Sequence, residues 1–180
     1  MDCEGLRSKP LKTIDIEVAV AKWIGIRRNI IVPNVSWGMF VNHKQLHECD
    51  LLVLTSSGYL WEVEIKVSKA DLIRDKEKSH GHMHSAIKRL YFAIPKKLIE
   101  YTEHIQDRAG IIIVDEKMRC TLLRKPHDTS TYKITEGQKF KLMRLGLMRV
   151  WALKKKLSKE LENHIGPKSA YDEISSEWQK

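Results

Sequence analysis

Residues 49–75, CDLLVLTSSGYLWEVEIKVSKADLIRD, limit the fold more than any other stretch of this chain. Two apolar-rich runs flank Ser56-Ser57-Gly58, the pattern of a β-hairpin. Gly58 supplies the left-handed position that closes a three-residue loop, so Thr55 pairs with Tyr59. Strand side chains alternate between faces. Counting back from that pair puts Val53 opposite Trp61, Leu51 opposite Val63 and Asp50 opposite Glu64. A slip of one residue would carry Asp50 onto the apolar face, which argues for this register. Trp61, Val63, Ile65 and Val67 then form a core face, while Glu62, Glu64, Lys66 and Asp50 share the other.

Two carboxylates directly opposite each other, about 5 Å apart, destabilise a sheet. A hard divalent cation compensates them, because Mg²⁺ favours one or two protein carboxylates together with water and substrate phosphate. Lys66 lies about 7 Å from Glu64 along the strand, within reach of the same phosphate or water. The competing reading is a salt bridge on a solvated sheet face. Glu17 lies between Ile14, Val20/Ala21 and Ile24 on the first helix. A buried carboxylate there needs a metal, a lysine or water, unless it sits at the stripe's edge and reaches solvent.

The remaining elements follow from periodicity and punctuation. Residues 13–27 read as a helix through Ile14, Val18, Ala21 and Ile24/Gly25. Residues 29–40 read as a strand that Pro33 assigns to an edge or a bulge. Ser68 and Asp71 form a capping box opening a helix to about residue 80; capping explains them as well as catalysis does, and is preferred. A short strand over 89–95, a helix over 96–106 and a second hairpin turning near Glu116–Lys117 come next. Thr135 and Gln138 cap a long helix over 136–163, striped by Phe140, Met143, Leu147, Val150/Trp151, Leu157 and Leu161. That stripe suits docking on the core or on a second copy, so a homodimer through this helix is an expectation.

Helix, three strands, helix, strand, with Asp50 on one strand and Glu64-Ile65-Lys66 on the next, resembles the PD-(D/E)XK nuclease superfamily. Cys49 stands where that motif usually has proline. EVEIKVSKADLIRDKEK, then RLYFAIP, then AGIIIVDE…LLRKP, is similar to the MmcB-like bacterial DNA-repair proteins within that superfamily, over about residues 13–126. The resemblance implies an α/β, restriction-endonuclease-like fold: an α-β-β-β-α-β core whose mixed central sheet is flanked by helices, with an added β-hairpin; the long C-terminal helix lies outside it. It implies a nuclease domain over 11–126; outside the resemblance, the sequence reads as a linker over 127–135 and a basic amphipathic helix and tail over 136–180. It also implies Mg²⁺- or Mn²⁺-dependent hydrolysis of DNA phosphodiesters, endonucleolytic, in DNA repair or phage DNA metabolism. In that pattern Asp50, Glu64 and the Ile65 backbone carbonyl hold the metal, Lys66 activates water, and Glu17 is a helix-borne acid assisting the metal. Glu62 takes a secondary place.

The chain carries a net charge of +9 over 180 residues, which suits a polyanionic partner, DNA ahead of a membrane. Lys69, Arg74, Lys76, Lys78, Lys88 and Arg89 are the candidate phosphate contacts. The final helix adds a further basic bias, from Lys139 to Lys159. A catalytically silent nucleic-acid-binding module is the alternative, and a purely structural salt-bridged strand the third reading. Three widely spaced cysteines, no apolar N-terminal run and no membrane-length apolar segment set the expectation of a reduced, cytoplasmic protein. His80, His82 and His84 in SHGHMHSA read as a loop, in contact with phosphate or DNA or exposed to solvent, rather than as a metal site.

Overall fold

The computed structural model describes residues 10–35, 40–41, 44–75, 82 and 84–165. Its centre is a six-stranded mixed sheet in the order β1-β4-β5-β6-β7-β8. The strands are β1 (Ile30–Val35), β4 (Cys49–Leu54), β5 (Leu60–Ile65), β6 (Ile87–Pro95), β7 (Gly110–Val114) and β8 (Cys120–Arg124). β2 (Phe40–Val41) and β3 (Lys44–Gln45) form a separate two-stranded ladder. β1, β4 and β5 pair antiparallel, β6 and β7 are parallel to β5, and β8 returns antiparallel. With helices α1 (Thr13–Ile24) and α2 (Lys69–Asp75), the order through β6 of the main elements is α-β-β-β-α-β. Pro33 lies on β1, the sheet's edge, where a missing N–H costs no ladder bond.

The central hairpin has the register its loop dictates. Leu51 pairs with Val63 and Val53 with Trp61. Gly58 adopts φ +87° and donates its N–H to the Thr55 carbonyl at 2.9 Å. The Thr55 N–H reaches the Tyr59 carbonyl at 2.9 Å.

Both faces of the sheet are covered. On one, Ile16, Ala19 and Val20 of α1 pack with Leu51, Val53, Val63, Ile65, Tyr91, Ala93, Ile112 and Val114. On the other, Leu72 of α2 joins Leu90, Phe92, Ile94, Leu98 and Ile111. Burying each such aliphatic side chain contributes about 1.5–3 kcal/mol. The docked face of α1 departs from the expected stripe: Ile14 is 56% and Val18 40% exposed. This helix is apolar on more than one side, and the sheet selected the Ile16/Ala19/Val20 face. The segment after β6 is also tighter than expected, a 3-10 stretch over Lys96–His104 with a kink at Tyr101.

The Gly110 position opening β7 has no room for a methyl group. A Cβ there would stand 2.7 Å from the Tyr91 ring and 2.9 Å from Pro126. Gly110→Ala is expected to destabilise the protein by about 1–3 kcal/mol through overpacking. Its urea midpoint should fall with the m-value unchanged; an unshifted midpoint would mean Tyr91 moves aside without cost.

Residues 127–135, expected as a linker, are pinned to the sheet. Thr129 Oγ1 donates to the Ile87 carbonyl at 2.9 Å, the Ile134 N–H to the Gly58 carbonyl at 3.1 Å, and Ile134 is buried. The capping box then opens α3 (Glu136–Ile165) reciprocally: the Thr135 N–H donates to Gln138 Oε1 at 2.8 Å, and the Gln138 N–H to Thr135 Oγ1 at 3.3 Å. Compactness divides the chain into two units, Met1–Met143 and Arg144–Lys180, so the boundary falls inside α3. Phe140 and Met143 in the first unit are exposed, as are Leu147, Val150, Trp151 and Leu157 in the second. Among the described residues no helix is long and apolar enough to cross a membrane.

Candidate functional site

The site is built where β4 begins and β5 ends. Asp50 lies one residue beyond the Leu51–Val63 pair, which puts it across from Glu64. Instead of a ladder bond, its Oδ2 accepts the Ile65 N–H at 2.7 Å. The carboxylate thus spans the gap between strands and stays partly exposed. Glu17, partly buried on α1, feels the charge of this acid. Burial first, and the negative field of Asp50 second, raise its pKa above the ordinary carboxylate value. Asp50 also raises the pKa of Glu64, so it is electrostatically coupled to both glutamates.

The polar face of β5 is not solvated. Glu62 is 0%, Glu64 2% and Lys66 5% exposed. α2 accounts for the covering, because its buried Leu72 and Asp75 lie three residues apart and share one helix face. Lys66 Nζ sits 2.9 Å from Glu64 Oε2 and 2.9 Å from Asp75 Oδ1. Burial opposes its charge, but the Glu64 and Asp75 carboxylates outweigh that and raise its pKa, so the ammonium is fixed. Glu64 is pulled both ways. Burial raises its pKa, Lys66 lowers it and Asp50 raises it again, with a net rise. A cation placed between Asp50 and Glu64 would relieve that repulsion, and these hard oxygen donors fit Mg²⁺ or Mn²⁺.

Behind this pair lies a network that sequence reasoning missed. His82 is fully buried, correcting its assignment to an exposed loop. Its Nδ1 lies 2.6 Å from Glu62 Oε1 and its Nε2 2.8 Å from Asp75 Oδ2. Burial disfavours the imidazolium, yet the Asp75 and Glu62 hydrogen bonds prevail and push the pKa up to about 9. His47 Nε2 reaches the same Glu62 oxygen at 2.7 Å. Burial raises the Glu62 pKa, but the two imidazoles more than offset it and lower the value overall. Glu62 is thus a buried hub shared by two imidazoles. His84 is half-buried, and His80 lies outside the described residues.

The available signals were faint. Asp75 sits one helical step beyond Leu72, the sole hint that it faces inward. Nothing local announced His47, which lies 15 residues from its partner Glu62.

The basic candidates separate into three groups. Lys69 and Arg74 are exposed on α2, Lys69 standing with Nζ 4.4 Å from the centroid of the Tyr101 ring. Lys76 and Lys78 fall outside the described residues. Lys88 and Arg89 sit at the opposite end of the β5–β6 pair, where Arg89 lies across from Trp61. Both engage Asp128, Lys88 at 3.4 Å and Arg89 at 2.5 Å. That places them roughly 10 Å from Glu64, at about 3.3 Å per strand residue.

No protein-family model and no curated protein matches the chain. A solved structure, described as the SPO1766 protein of unknown function from Silicibacter pomeroyi, is similar at a TM-score of 0.57 and 18% identity. The match covers 88% of this chain and 97% of that one. At that identity the likeness establishes a shared arrangement of helices and strands, and the chemistry rests on the residues described above.

Proposed function

We propose that this chain is a Mg²⁺- or Mn²⁺-dependent deoxyribonuclease with a restriction-endonuclease-like core, similar to the MmcB-like branch of the PD-(D/E)XK superfamily. The observation that carries the reading is Asp50 across from Glu64, with Lys66 two residues on, at the end of a hairpin that β6 joins in parallel after α2. Asp50 and Glu64 would hold the cation together with the Ile65 carbonyl, with Glu17 adding negative charge from α1. Such an ion would supply positive charge to a scissile phosphate and lower the pKa of water. Lys66, held protonated by Glu64 and Asp75, donates hydrogen bonds to that water or phosphate. Lys69 and Arg74, exposed on the helix that follows, hold neighbouring phosphates of the DNA backbone.

A second reading has its own support. The side chains of Lys66 and Glu64 are only 6% and 3% exposed, which restricts substrate access and favours a nucleic-acid-binding module without turnover. Incubating the full chain with supercoiled, single-stranded and branched DNA, with Mg²⁺ or Mn²⁺ and then with excess EDTA, separates the two. Metal-dependent cleavage of any of these DNAs is the expected result. Salt-sensitive binding of DNA with no cleavage under any condition would establish the second reading instead.

A further inference from the structure

We propose that His47, Glu62 and His82 form a second, chemically different metal site, one for a borderline transition-metal ion of the Zn²⁺ class. Their donor atoms converge from three separate segments: the run before β4, the middle of β5 and the segment after α2. All lie within 4.8 Å of one another. His47 Nε2 and His82 Nδ1 both close on one carboxylate oxygen, at 2.7 and 2.6 Å. Around Zn²⁺, with ligand bonds of about 2.0–2.2 Å, tetrahedral donors stand roughly 3.3 Å apart. The three side chains need to open by only about 0.7 Å to admit the ion, by the same bond lengths.

Three further observations point to a ligand rather than to simple packing. Glu62 Oε2 is buried, on a residue 0% exposed, and has no hydrogen-bond partner among the described residues. A carboxylate oxygen so placed is costly unless it meets a cation or a donor. His82 also carries the outer partner typical of metal-bound imidazoles. Its Nε2 is oriented by the Asp75 carboxylate at 2.8 Å, leaving Nδ1 aimed at the site. Finally, the His82 backbone is left-handed at φ +57°, and Arg108 Nη2 holds its carbonyl at 2.9 Å. A non-glycine residue in that region is strained, and such strain persists where surrounding structure enforces a side chain's position.

The donor set separates this site from the acidic pair at Asp50. Two imidazoles and one carboxylate suit Zn²⁺ and its neighbours, whereas Mg²⁺ favours oxygen ligands. His84, its ring centroid 6.5 Å from that of His47, supplies a further imidazole beside the site. A bound ion would replace the proton between His82 Nδ1 and Glu62 Oε1 while Nε2–H stays on Asp75, and would staple three chain segments together.

The test uses the full chain stripped by chelating resin, loaded with Zn²⁺ or Co²⁺, desalted and assayed by plasma mass spectrometry. Wild-type protein should retain about one equivalent, with a Co²⁺ visible band. His47→Ala, at the rim, and Glu62→Gln, nearly isosteric, should each weaken retention by more than the ten- to hundredfold typical of losing an outer partner. Far-ultraviolet circular dichroism checks that each variant is folded. Asp50→Asn should retain the ion, because it belongs to the other site. The proposal is overturned if wild type retains no ion, if the folded His47 and Glu62 variants retain it fully, or if Asp50→Asn abolishes retention. DNA cleavage is not a readout here, so this result and the nuclease reading can fail separately.

Discussion

Asp50→Asn should lower metal-dependent DNA cleavage by about 10³-fold, on the order of 4 kcal/mol of transition-state stabilisation. The substitution removes a negative charge and almost nothing else. The amide that replaces the carboxylate keeps a side-chain oxygen able to accept the Ile65 N–H, which Asp50 Oδ2 now receives at 2.7 Å. The hairpin end therefore stays in place, and melting should change little. Removing the charge also lessens the repulsion that raises the pKa of Glu64, so the variant loses cation affinity without unfolding. Plasmid-nicking rates at saturating Mg²⁺, beside a thermal melt, decide the matter. Wild-type rates in a correctly folded Asp50→Asn protein would falsify the assignment of Asp50 to the metal.

Lys66→Met should lower cleavage and, unlike Asp50→Asn, also cost about 3–5 kcal/mol of stability. From sequence, Lys66 is a lysine that activates water or joins a salt bridge on a solvated sheet face. In the structure it is 5% exposed and its ammonium bridges two buried carboxylates, Glu64 and Asp75. Without it each carboxylate loses a cation at 2.9 Å, and desolvation dominates. The pH dependence follows from the direction of the shift. The folded pKa of Lys66 is raised above its ordinary 10.5. Its stabilising contribution is therefore fully present below pH 10.5 and fades only as pH rises through the higher folded value. From about pH 6 to about pH 9 the wild-type and Lys66→Met urea midpoints should differ by a constant amount. In acid the gap should narrow, because protonating Glu64 and Asp75 removes the uncompensated charge. A Lys66→Met stability within about 0.5 kcal/mol of wild type, the range of an ordinary surface substitution, would show that water, not Lys66, solvates these acids.

These two residues mark how much of the site was legible in the sequence. Loop length and Gly58 determine the hairpin register, and period-two alternation carries that register to Asp50, Glu64 and Lys66. Such reasoning needs only neighbours along the chain. The same alternation puts Glu62 with Glu64 but is silent on whether that face meets water or a helix. Only the packing of Leu72 and Asp75 over β5 answers this, and the answer changes a solvated salt bridge into a buried charge network. The phase of α1 was ambiguous for a related reason, since both Ile14/Val18 and Ile16/Ala19/Val20 offer apolar spacing. A helix with two such faces docks by whichever fits the sheet.

The local pattern determined the element order, the caps at Ser68 and Thr135, the edge position of Pro33 and the hairpin register as far as Leu51 and Val63. Each depends on dihedral preference, alternation or hydrogen bonds between residues close in sequence. Tertiary structure alone decided that His47, Asp75 and His82 converge on Glu62 and Lys66. Those contacts close loops of up to 20 residues, as between His82 and Glu62. Their cause is the collective demand of a buried charge for partners, which no single stretch of chain encodes.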